Sequence, residues 1–125
     1  MAHYAQLDNN NIVIRVFPGK NEAEDGIDWE KHYTEITGYT CKRTSYNTFQ
    51  GQHLEEGVPF RINYAWIGCV YSQELDGFIE QQPFPSWILN PITGYYDPPK
   101  QKPEDTETYY YEWNENIKEW TQVLI

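Results

Sequence analysis

Six prolines, Pro83, Pro85, Pro91, Pro98, Pro99 and Pro103, crowd one stretch of this chain between positions 83 and 103. Each locks its own φ and deletes a backbone N–H donor, so the stretch cannot be an interior strand throughout. It reads as an extended arm over residues 83–108. The chain before it, residues 1–82, reads as a β-rich core domain carrying one helix, and residues 109–125 read as a C-terminal hairpin. With 125 residues in all, the three parts are also short enough to pack as one domain.

The core has an unusual supply of material. Leu, Ile, Val and Met are sparse, whereas the chain holds 5 Trp, 11 Tyr and 5 Phe. Rings of this kind suit strands and interfaces, because they combine a large apolar face with a polar edge. In a chain so poor in aliphatic side chains, most of them are expected to pack in the core.

Local signals place the elements. Tyr4-Ala5-Gln6-Leu7 and Ile12-Val13-Ile14-Arg15-Val16-Phe17 are extended runs joined by Asp8-Asn9-Asn10-Asn11, residues that favour tight turns, and Pro18-Gly19 is expected to break the second run. A helix over 28–37 follows, with Asp28 as N-cap, an apolar stripe at Trp29, Tyr33 and Ile36, and Gly38 at its C′ position. At about ten residues it would be marginal alone, so the stripe must pack on a sheet. Tyr39–Tyr46 turns extended, and Thr48–Val58, with Gly51 and Gly57 among polar residues, reads as a surface loop. Tyr64–Tyr71 is a near-continuous apolar run without helical period, the best candidate for a central strand, paired with Phe78-Ile79-Glu80-Gln81. Two later stretches share one pattern. Trp87-Ile88-Leu89-Asn90 turns through Gly94 to Tyr95-Tyr96, and Tyr111-Glu112-Trp113-Asn114 turns to Lys118-Glu119-Trp120. In both, an aromatic strand breaks at Asn and returns on an aromatic, which suits cross-strand ring pairing. The fold class is therefore mainly β, built of antiparallel hairpins with one short α-helix.

Charge narrows the partners. A formal net charge of -10 repels phosphate backbones and anionic lipid headgroups, so neither nucleic acid nor a membrane is expected as a partner. No apolar run approaches the roughly 20 residues of a membrane span, and Met1-Ala2-His3-Tyr4 lacks the features of a signal peptide, which points to a chain folded in the cytosol. Cys41 and Cys69 then read as buried free thiols rather than a disulfide.

Site chemistry is weak. His3, His32, His53, Cys41 and Cys69 lack the short spacings of a zinc site, so no metal is expected. Ser86, in Pro85-Ser86-Trp87, lacks a nucleophile elbow and reads as a turn residue. Nineteen acidic residues make a pair of nearby carboxylates unavoidable, so such a pair says nothing about glycoside hydrolysis. The clusters Glu22, Glu24, Asp25 and Glu104, Asp105, Glu107 read as solvated faces, and no phosphate-binding loop is present. No cofactor is implied, and an enzyme is not expected. The rings remain. Trp66, Phe84, Trp87, Tyr95, Tyr96, Trp113 and Trp120 are the candidate partner-binding residues, able to fill pockets on a neighbouring protein; Trp66, Trp87, Tyr95, Tyr96, Tyr109, Tyr110, Tyr111, Trp113 and Trp120 could alternatively form a platform that stacks on a sugar.

A family resemblance is carried by Thr44-Ser45-Tyr46-Asn47-Thr48, by Pro59-Phe60-Arg61-Ile62-Asn63-Tyr64-Ala65-Trp66-Ile67-Gly68, by Tyr71, Asp76 and Phe78-Ile79, and by Pro83-Phe84-Pro85-Ser86-Trp87. The ends, Met1-Ala2-His3-Tyr4-Ala5-Gln6-Leu7-Asp8 and Tyr111-Glu112-Trp113-Asn114-Glu115 to Trp120, share it. Together they resemble a small protein of tailed phages of marine bacteria, notably cyanophages. The chain departs from that pattern where Trp66 replaces a usual glycine and where Phe49-Gln50-Gly51-Gln52-His53 replaces a more glycine-rich loop. The resemblance implies a virion-associated, non-enzymatic protein made in the host cytoplasm, and it carries over no catalytic residue. The expectation is a structural protein that decorates or cements a capsid in multiple symmetric copies, contacting other virion proteins. The alternative is a tail- or fibre-associated module that binds host surface polysaccharide.

Overall fold

A computed structural model describes residues 2–55 and 57–125. The chain is mainly β, with antiparallel strand pairs and a single α-helix. It divides into two compact units: one runs up to Gln81 and includes Pro91–Tyr95, the other comprises Gln82–Asn90 and Tyr96–Ile125.

The first unit is organised by an N-terminal hairpin of β1 (Ala2–Leu7) and β2 (Val13–Gly19). Its turn closes because the Asp8 carboxylate accepts the backbone N–H groups of Asn10 at 2.8 Å and Ile12 at 3.0 Å, while Asn11 takes a left-handed φ of 62°, as Asx side chains do in tight turns. β3 (Thr40–Thr44) pairs along the other side of β1, giving the order β2-β1-β3. Contrary to expectation, Pro18 and Gly19 do not break β2; they pair with His3 and Ala2. β2 is an edge strand, where a missing donor costs no ladder bond.

Helix α1 (Trp29–Thr37) starts where Asp28 accepts the Lys31 N–H at 3.1 Å and stops at Gly38, φ 77°. Trp29 and Tyr33 pack on Tyr4, Phe17 and Cys41, with the Tyr33 ring 4.9 Å from Tyr4 and 5.2 Å from Phe17. The expected third member of the stripe, Ile36, is 64% exposed. Thr34 and Thr37 take the inward positions instead: Thr34 Oγ1 accepts the Cys41 N–H at 3.0 Å, and Thr37 Oγ1 lies 3.6 Å from Cys41 Sγ. The end of the helix is thus joined to β3 by polar contacts rather than by apolar burial.

The opposite face of the sheet packs on the segment after residue 60. Ala5, Leu7, Val13, Ala65, Cys69, Tyr71 and Phe78 form this core. The long central strand expected over Tyr64–Tyr71 is not there. Strand pairing is confined to β6 (Val70–Ser72) and β7 (Gly77–Ile79), with Tyr71 opposite Phe78, and Glu80 and Gln81 lie outside the pair. The reason is visible at Gly68, φ 97°, which turns the backbone so that its N–H reaches Val13 O while Cys69 O accepts the Val13 N–H, both at 2.8 Å. Two earlier strands, β4 (Thr48–Phe49) and β5 (Gln52–His53), make a small hairpin inside the segment expected to be plain loop.

One buried side chain ties these pieces together. Asn63, 1% exposed, accepts the Gln50 N–H at 2.7 Å and donates through Nδ2 to Phe78 O at 3.0 Å and Thr93 O at 2.9 Å. Just before it, Arg61 and Ile62 both hold positive φ, 52° and 68°, a costly conformation for a β-branched residue. Arg61 is fixed there by Glu30 at 2.6 Å and Asp76 at 3.0 Å, and its Nη1 also donates to Arg43 O at 2.9 Å. Cys41 and Cys69 are buried free thiols, and burial pushes the Cys69 thiol up to about 11.

The second unit contains β8 (Ile88–Leu89) paired with β9 (Tyr96–Asp97), and β10 (Tyr109–Asn114) paired with β11 (Glu119–Leu124). Both hairpins fall where the sequence pattern indicates, but only the second opposes rings across its strands, Trp113 to Trp120; in the first, Leu89 faces Tyr96 and Ile88 faces Asp97. Residues 98–106 between them adopt no regular secondary structure. Among the described residues of this unit none is fully buried. Most rings of the chain are in fact only half-buried; Tyr4, Phe17, Tyr71 and Phe78 alone are buried in the core. Tyr and Trp tolerate such margins because their polar edges stay close to water or to a backbone acceptor.

Candidate functional site

The alternation of β10 sets Tyr109, Tyr111 and Trp113 on one face, and register places Trp120 of β11 directly opposite Trp113. The two indoles meet at 5.2 Å and 70°. Trp87, from the segment before β8, leans against both, 5.9 Å from Trp113 at 83° and 6.0 Å from Trp120 at 57°. Phe84 packs on Trp87 at 5.4 Å. A groove of about 410 Å³ opens over this cluster, walled by Phe84, Trp87, Lys102, Tyr111, Trp113 and Trp120.

Polar contacts hold the rings in place. Trp113 Nε1 donates to Glu115 Oε1 at 2.8 Å, and Ser86 donates to the same carboxylate twice, through Oγ at 2.6 Å and its backbone N–H at 3.1 Å. Those bonds, Ser86 first and Trp113 next, hold the Glu115 carboxyl below its ordinary value of 4.5. Trp120 Nε1 donates to Lys100 O at 2.7 Å, and Lys100 Nζ pairs with Glu119. Lys102 Nζ pairs with Asp105 at 3.0 Å. Trp87 differs from the other two indoles: its Nε1 is shielded and finds no acceptor among the described residues.

Of the seven candidate residues, Phe84, Trp87, Trp113 and Trp120 are therefore brought together. Trp66 and Tyr95 lie in the first unit, where they stack on each other at 5.8 Å and 10°. Tyr95 also touches Phe49, at 6.0 Å. Tyr96 lies in β9 and does not line the groove. Tyr111, named only for the sugar platform and not among the partner-binding residues, lines the groove as well, because alternation sets it on the face of Trp113. Sequence reasoning missed Lys102, Ser86 and Glu115, whose roles depend on contacts between separate segments.

The arrangement offers apolar rings and fixed indole donors, with the Ser86 hydroxyl held on the Glu115 carboxylate at its edge. Among the described residues no group of three or more His, Cys, Asp or Glu side chains is placed to hold a metal ion, and no helix is long and apolar enough to cross a membrane. Comparison with known proteins finds no family model, no curated protein and no solved structure that matches this chain.

Proposed function

We propose that this chain is a non-enzymatic structural protein of a phage particle, most simply a capsid decoration or cement protein, which docks on a neighbouring virion protein through the ring groove of its second unit. The observation that carries this reading is the concentration of Phe84, Trp87, Trp113 and Trp120 around a groove in a unit where none of the described residues is fully buried. Half-buried Trp is what interface anchors are made of, and burying such rings fully on a partner yields large contact area at little side-chain entropy cost. Mutually tilted indoles form a cup for an inserted side chain rather than a flat pair of faces for a pyranose. The phage assignment rests on the resemblance of the middle of the chain to a marine phage family. Symmetric copies on a shell would multiply a weak contact by avidity. The test is recovery of the chain from purified particles of the phage that encodes it: the reading expects a fixed stoichiometry resistant to salt washing, and absence from particles contradicts it.

The second reading, a tail- or fibre-associated module for host surface polysaccharide, is favoured by the nearly parallel Trp66 and Tyr95 rings. It expects binding to host polysaccharide that is lost in Trp66→Ala, whereas capsid decoration expects no glycan binding.

A further inference from the structure

The second unit already shows which kind of peptide its indoles accept. The chain's own segment Pro98-Pro99-Lys100-Gln101-Lys102-Pro103 has no regular structure, contributes Lys102 to the groove wall and offers Lys100 O to Trp120 Nε1 at 2.7 Å. Proline-rich segments keep their carbonyls unpaired and their extended form at low entropy cost, and aromatic grooves recognise them by ring packing plus indole N–H donation. The indole donation is seen here within one chain, from Trp120 to the Lys100 carbonyl between Pro99 and Pro103. It leaves Phe84, Trp87, Tyr111 and Trp113 as half-buried, unfilled groove wall, and it leaves Trp87 Nε1 without an acceptor.

Charge specifies the rest. Residues 82–90 and 96–125 hold seven carboxylates against three lysines, and two of those lysines, Lys100 and Lys102, are already paired with Glu119 and Asp105. The Glu115 carboxylate at the edge of Trp113 stays ionised. An acidic surround of this kind favours a basic ligand and disfavours an acidic one.

We infer that the groove of Phe84, Trp87, Tyr111 and Trp113 binds an extended, proline-rich, lysine-bearing segment of the partner protein, in the manner of the chain's own Pro98–Pro103. The inference rests on the docking reading above and names the chemistry of what docks. The partner's prolines pack on the ring faces, and its lysines face the acidic surround.

The test is a titration of the full chain with the hexapeptide Pro-Pro-Lys-Gln-Lys-Pro, followed by the indole N–H resonances of the 5 Trp. The signals of Trp87 and Trp113 should move and saturate while those of Trp29 and Trp66 stay in place. An alanine-for-proline peptide should bind about tenfold more weakly, and a glutamate-for-lysine peptide about two- to fivefold more weakly. Tyr111→Ala, which removes a ring from the groove wall, should weaken binding while the indole resonances of Trp29 and Trp66 stay those of the folded chain. No saturable shift, or equal binding of the alanine peptide, overturns the inference. Particle attachment that the proline peptide does not compete away likewise overturns it while leaving the docking reading intact; peptide binding by a chain absent from particles would do the reverse.

Discussion

Trp113 and Trp120 face each other across the C-terminal hairpin as a directly opposed pair, centroids 5.2 Å apart, and each indole N–H is satisfied by a different segment, Glu115 for one and Lys100 for the other. A two-stranded ribbon is marginal in water without such support. The pair therefore anchors the hairpin and the proline-rich segment at once. Replacing Trp120 by Ala should free Lys100 O, remove an aromatic pair worth about 1 kcal/mol beyond its buried area, and raise amide exchange across β10 and β11 by about tenfold or more. Unchanged exchange there would show that the ribbon is held by something else.

Glu115 gives the groove a pH dependence. Its folded pKa lies below 4.5 because Ser86 and Trp113 donate to the carboxylate. A depressed carboxyl contributes stability that is present above its unfolded value and lost as pH falls through the folded one. Acidification below the ordinary carboxylate range should thus release Ser86 and alter Trp113 fluorescence, and Glu115→Gln should abolish that acid transition. An acid transition that survives in Glu115→Gln would assign it to another carboxyl.

Much of both units was legible because the signals are local. Asp8 closes a turn within four residues, Asp28 and Gly38 cap their own helix, and the ring-Asn-ring pattern announces both later hairpins. The failures came where distant backbone decides. Tyr64–Tyr71 has strand composition, yet Gly68 turns it to bond Val13, so Ala65, Cys69 and Tyr71 are buried by irregular packing while Ile67 is left exposed. Ile36 fits the helical stripe but loses the inward place to Thr34 and Thr37, whose hydroxyls serve Cys41. In the candidate site the rings were legible by type, and four of seven converge; that Trp66 and Tyr95 pair elsewhere depends on a tertiary contact no spacing encodes.

Asn63 is the structural keystone of the first unit. Asn63→Ala would remove the bonds to the Gln50 N–H and to the Phe78 and Thr93 carbonyls, the one to Phe78 O fully buried, at a cost of about 3 kcal/mol. Gly94→Ala should act on the same point, because φ is +75° there and an added Cβ would stand 2.6 Å from Asn63 Nδ2. Thermal unfolding should show both variants clearly destabilised, and a wild-type midpoint for Asn63→Ala would refute the role given to it.

Two tyrosines should resist alkali. Burial pushes Tyr4 up to about 12, with the Tyr33 phenol adding to the shift, and burial followed by the hydrogen bond to Asp76 does the same for Tyr71. Groups whose folded pKa is raised contribute stability that is present below the unfolded value near 10 and lost as pH rises through the folded one. Ultraviolet titration with site-specific replacement by Phe should show Tyr4 and Tyr71 ionising together with unfolding between about pH 10 and 12. Early ionisation of all tyrosines in a folded chain would contradict this.

The central claim, that the chain docks on a particle through its ring groove, is tested most directly by rebinding. Purified chain is mixed with particles of the encoding phage that lack it, and the bound fraction is measured for wild type, Trp87→Ala and Trp66→Ala. The account predicts saturable binding by wild type and Trp66→Ala and a loss of at least about tenfold for Trp87→Ala, as expected of an interface anchor. Equal binding by Trp87→Ala and wild type would contradict it.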